Sequence, residues 1–76
     1  MKNVTIVYTS NNDGKMKSEH ITDATSEKIQ AFFDSKVVHA LDYVLVHNRT
    51  IGVNEFDLYT SQQDLLSFQE EWALNF

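Results

Sequence analysis

The chain has 76 residues, no cysteine, no proline and a formal net charge of −5. A chain this short makes a single domain, buries only about 60% of its unfolded surface, and without cysteine has neither a disulfide nor a thiolate metal site to stabilise it. A hydrophobic fraction of 42% and an aromatic fraction of 12% exclude a disordered tail, and no apolar run approaches the roughly 20 residues of a membrane span.

The β-branched and aromatic segment Val4-Thr5-Ile6-Val7-Tyr8-Thr9 predicts a first strand, with Val4, Ile6 and Tyr8 on one face. Polar Ser10-Asn11-Asn12-Asp13 follows at once, so this start reads as a strand rather than a signal peptide, and cytoplasm is the expected compartment. Asn11-Asn12-Asp13-Gly14 is the strongest turn signal, because Asp-Gly tolerates the positive φ of tight hairpins. Lys15 to Ile21 then returns as a polar edge strand, with Lys17 and Glu19 suited to solvent. Thr25-Ser26-Glu27 supplies a hydroxyl cap and a first-turn acid. Ile29, Phe32, Phe33 and Val37 follow at helical spacing, opposite Glu27, Lys28, Gln30, Asp34 and Ser35, and the helix should end near Ser35 or Lys36.

Leu41 to His47 is the most apolar stretch and predicts a central strand buried on both faces. Val37-Val38-His39-Ala40 before it fits either a helix end or a strand. His47-Asn48-Arg49-Thr50 is expected to turn the chain, and its glycosylation sequon reads as coincidence. Ile51 to Tyr59 reads as another strand, whose apolar residues change phase between Val53 and Phe56; a bulge or break near Asn54-Glu55 would account for that. Ser61-Gln62-Gln63-Asp64 is a near capping box. Leu65, Leu66, Phe68, Trp72 and Ala73 then form one broad helical stripe, opposite Asp64, Ser67, Glu70 and Glu71. The order strand-strand-helix, twice over, predicts an α+β two-layer sandwich: a mainly antiparallel four-stranded sheet in ββαββα order with two helices on one face. The halves also align weakly, Thr25 with Ser61, Ile29 with Leu65, Phe32 with Phe68 and Asp34 with Glu70, which shared helix physics explains.

No motif specifies a reaction, a metal or a cofactor, and none of the three is expected. His20, His39 and His47 are spaced too irregularly for a local metal motif and read as surface or strand-end residues. Gly14 and Gly52 stand alone, so there is no phosphate loop. Glu55 and Asp57 share one strand face, which reads as a solvated face rather than a catalytic pair. The enzymatic alternative, a small hydrolase or ligand-binding domain using His20 or His47, needs a cleft that brings a histidine against Glu55 or Asp57.

The charge is unevenly placed. Five acids balance five lysines up to Lys36, whereas Asp42, Glu55, Asp57, Asp64, Glu70 and Glu71 face only Arg49 afterwards. Such a field repels nucleic acid and anionic membrane and favours a basic or neutral protein partner, and the same acids also fit a solvated, solubilising face. The expected function is therefore a non-enzymatic protein-binding module, an inhibitor or adaptor, that docks an acidic face on a basic partner. Asp57, Asp64, Glu70 and Glu71 are the candidate contacts, with Leu74 and Phe76 as apolar anchors. Leu74 falls outside the helical stripe, and Tyr43 and Tyr59 suit strand-end interface positions. In size, acidity and lack of cysteine the chain is similar to small accessory proteins of phages and other mobile elements, many of which bind and block a host protein. A second expectation is a structural homo-oligomer, such as a homodimer, pairing the polar edge from Lys15 to Ile21.

Overall fold

The computed structural model describes residues 2–35 and 38–76. The elements run β1 (Lys2–Ser10), β2 (Met16–Ile21), α1 (Ser26–Ser35), β3 (Val38–Thr50), β4 (Val53–Tyr59) and α2 (Gln62–Asn75). The strands form one antiparallel sheet in the order β2-β1-β3-β4, so the two ββα halves meet at the central β1–β3 pair. The expected α+β architecture and ββαββα order are present. The expected helix end at Lys36 and the stripe position Val37 lie outside the described residues.

Local chemistry explains the boundaries. Gly14, at φ +69°, closes the first hairpin by donating its N–H to the Ser10 carbonyl at 2.9 Å. Asp13 accepts from the Lys15 N–H at 3.0 Å and pairs with Lys17 at 3.3 Å. Its carboxyl is held below the usual carboxylate range, chiefly by that Lys15 N–H. Thr25 caps α1, its hydroxyl accepting from the Lys28 N–H at 3.3 Å. Ser61 caps α2, accepting from the Asp64 N–H at 3.1 Å.

The core lies between one sheet face and both helices. Val4, Ile6 and Tyr8 of β1 and Val44 and Val46 of β3 pack with Ile29 and Phe32 of α1 and Phe68 of α2. Tyr8 meets Phe32 edge-on at 5.3 Å, joining sheet to helix, and within α1 Phe32 meets Phe33 edge-on at 5.1 Å. Trp72 stacks on Phe33 at 6.0 Å and joins the helices. The α2 stripe is narrower than its spacing predicts. Phe68 is buried and Leu65 and Trp72 are half-buried, but Leu66 and Ala73 are exposed.

Three sequence expectations for β3 and β4 require correction. β3 does not turn at His47 to Thr50; it runs through Thr50, and Ile51-Gly52 makes the turn, with Gly52 at φ +79°. β4 contains no bulge or break, since its register with β3 is unbroken from Val53 to Tyr59. Its apolar residues change phase because Val53 and Tyr59 pair on the helix side, while Phe56 and Leu58 face the other way. Nor is β3 buried on both faces: Val44 and Val46 are buried, but Tyr43 is exposed and Leu45 and His47 are half-buried. Both helices lie on one side, and among the described residues no layer covers the other. The irregularities in the sheet fall instead between β1 and β3, at the register shifts beside Val7/Tyr8 and Thr9/Ser10. There Thr9 donates its hydroxyl to Asp42 at 3.0 Å.

Candidate functional site

The pairing registers divide the sheet into two unlike faces that meet along β4. On the face away from the helices, Val7 pairs with Tyr43, Leu45 with Leu58 and His47 with Phe56. Met16, Tyr43, Phe56 and Leu58 are exposed there, Phe56 at 62% and Leu58 at 58%. The His47 and Phe56 rings stack at 4.3 Å with planes 6° apart, and His47 Nε2 lies 3.3 Å from Asn54 Oδ1. The apolar group of this open face lies on β3 and β4, with Thr5 and Thr9 of the central β1 and His20 of β2 beside it and Asn54 toward the second hairpin turn. An exposed, contiguous group of this kind marks an interaction surface more often than a random scatter of apolar residues.

The helix side of β4 has the opposite character. Glu55 and Asp57 point there, paired with Asn48 and Val46, and both are exposed. Tyr59 closes the row, half-buried against Phe68 with ring centroids 5.6 Å apart. Burial raises the Tyr59 hydroxyl above its usual range, and the nearby charges of Asp57, Glu71 and Asp64 raise it further. Three of the four carboxylates expected to dock a partner, Asp57 on β4 and Asp64 and Glu71 on α2, therefore lend their charge to the surroundings of one tyrosine. Glu70 is exposed on α2 but is not among the charges acting on Tyr59. No lysine or arginine follows Arg49 in the chain, so this margin has no cation of its own from β4 or α2.

The two apolar candidates differ. Leu74 is 87% exposed. Phe76 is half-buried, edge-on to Phe68 at 6.3 Å, with Lys2 Nζ 4.6 Å above its ring. It belongs to the margin of the core rather than to a free surface.

The histidines do not assemble a catalytic group. His47 lies on the open face, while Glu55 and Asp57 lie on the opposite one. His20 pairs with Thr5, whose hydroxyl is 2.9 Å from its Nδ1. His20 and His47 do not meet across adjacent strands, because β1 runs between β2 and β3. A depression lined by His39, Leu41, Gln62, Leu65 and Leu66 holds no carboxylate, and another around the Ile51-Gly52 turn holds no histidine. Among the described residues no group of three or more histidines and carboxylates is placed to hold a metal ion, and no helix is long and apolar enough to cross a membrane.

Sequence reasoning did not find the open face as a surface. Its signals were Tyr43 and Leu45, two residues apart in β3, and Phe56 and Leu58, two apart in β4. Compared with known proteins, the chain matches no family model, no curated relative and no solved structure.

Proposed function

We propose that this chain is a non-enzymatic protein-binding module, an inhibitor or adaptor that docks on a basic partner protein in the cytoplasm. The observation that carries the reading is the margin at β4, where exposed Phe56 and Leu58 on one face adjoin Asp57, Asp64 and Glu71 around Tyr59 on the other. Aromatic and aliphatic side chains beside a one-sign charged rim are the composition of a docking surface: the apolar group supplies affinity and the carboxylates steer encounter. A self-associating domain is the second reading, favoured by the same uncovered apolar face.

Affinity capture from lysate of the native host, at low and moderate salt, tests the first reading. The wild-type chain should retain a stoichiometric basic protein, and the purified pair should rebind. An Asp57→Lys, Asp64→Lys, Glu71→Lys variant should lose the partner, whereas Glu70→Lys should keep most of it. Equal retention by wild type and triple variant at low salt would sink the reading. Capture of nothing, with melting that rises strongly with protein concentration, would move the assignment to self-association.

A further inference from the structure

We infer that β4 receives an added strand from its partner, and that this strand alternates basic and apolar residues. The inference rests on the protein-binding reading above and specifies the partner's chemistry. β4 is an outer strand of the sheet, exposed from Val53 to Leu58. Its ladder with β3 is regular over seven pairs. Alternate residues of such a strand direct N–H and C=O groups outward, where a further strand completes them. β4 has no lysine, proline or bulge; the charges that guard its edge are Glu55 and Asp57, both acidic, so they repel a like-charged strand and not a basic one.

The side chains of β4 state what the added strand must carry. Residues of a new strand alternate between faces, in step with β4. Those on the helix side come to lie beside Glu55 and Asp57, with Asp64 and Glu71 near Tyr59 behind them. Those on the other side extend the open-face row of Phe56 and Leu58. Basic residues match the first set and apolar residues the second.

The chain's own edges fit poorly. Two copies of β4 paired antiparallel about Phe56 would set Glu55 against Asp57 at two places, and like charges directly opposite destabilise a sheet. The other outer strand, β2, has a single lysine, Lys17, which is engaged by Asp13 at 3.3 Å and is followed by Glu19 on the same side. The same carboxylates thus oppose self-pairing of β4 and select a foreign basic strand.

The test uses a short synthetic peptide that alternates lysine and valine. Two controls accompany it: a glutamate-valine counterpart, and the lysine-valine peptide N-methylated through its centre. Binding is read by fluorescence anisotropy at low salt, and location by amide hydrogen exchange of the isotope-labelled protein. The lysine-valine peptide should bind and slow exchange at alternate amides of β4, and both controls should fail. Glu55→Lys with Asp57→Lys should weaken binding by at least about tenfold at low salt. The milder Glu55→Gln with Asp57→Asn should lose part of it while melting as the wild type does. Equal binding of the N-methylated peptide, or protection at β2 or on α2 without β4, would overturn strand addition while leaving the protein-binding reading intact. No binding of the peptide also overturns it; the captured partner's fate in the lysate experiment then decides the broader reading separately.

Discussion

His47 lies flat against Phe56, ring centroids 4.3 Å apart and planes within 6° of parallel, on a sheet face that no helix covers. The contact ties the edge strand to its neighbour where the core contributes nothing. Cross-strand pairs of this kind stabilise by about 0.2–1 kcal/mol. Phe56→Ala should therefore cost less than about 1 kcal/mol in a denaturant melt. The same variant should reduce capture of the partner far more than that stability loss explains. A parallel fall in both would make Phe56 a structural residue only.

The core makes a contrasting case. Phe32 is buried between Tyr8 and Phe33. Truncating a buried phenylalanine costs about 3–5 kcal/mol, and a domain of this length has a total stability of about 4–11 kcal/mol. Phe32→Ala should leave a large unfolded population detectable by circular dichroism, while Phe32→Leu should remain folded with a lowered melting point.

Tyr59 gives the fold a response to alkaline pH. Its hydroxyl titrates above the ordinary value of 10.0 because of burial and then the charges of Asp57, Glu71 and Asp64. A raised folded value means that the contribution is whole below the unfolded pKa and is lost as pH rises through the folded one. Stability should fall above about pH 10, and Tyr59→Phe should flatten that fall. Asp57→Asn should move the tyrosinate absorbance titration of this residue downward without abolishing its shift, since burial comes first.

The cap of α2 is a local device with a measurable contribution. The Ser61 hydroxyl accepts from the Asp64 N–H at 3.1 Å. Ser61→Ala should cost about 1 kcal/mol in a denaturant melt, and Ser61→Gly only a few tenths. Equal losses would show that the hydroxyl is not what holds the first turn.

Gly52 turns the second hairpin at φ +79°, with open space where a side chain would begin. The cost of substitution there is conformational rather than steric crowding, about 1–2 kcal/mol for an ordinary residue. Gly52→Ala should lower the melting point, and Gly52→Asn should lower it less. Neighbouring Ile51, fully exposed at 105%, should accept Thr or Lys with little change in stability.

What could be read from the sequence was what depends on neighbouring residues. The first strand, the Asp13-Gly14 hairpin and the Thr25 and Ser61 caps are each written in a few consecutive positions, and each stands as expected. The second hairpin was misplaced because its turn is Ile51-Gly52, an apolar residue beside a lone glycine, while the polar His47-Asn48-Arg49-Thr50 resembles a turn. The second face of β3 was read as buried because an apolar run does not say whether another layer exists to cover it. Asp57, Asp64 and Glu71 could be suspected one by one from charge alone. Their common influence on Tyr59 depends on how α2 lies over β4, which no local pattern encodes.

The central β1–β3 pair joins segments distant along the chain, Lys2 opposite Asn48 and Ser10 opposite Val38, whereas each hairpin joins immediate neighbours. Closing a long loop is entropically slow, and folding rates fall as such contacts dominate. Each strand-turn-strand unit can form within its own half, but neither half buries Val4, Ile6, Val44 and Val46 until the two meet. Docking of the two halves along this seam should then limit the folding rate, so substitutions in the seam should slow folding more than those in either turn in stopped-flow refolding.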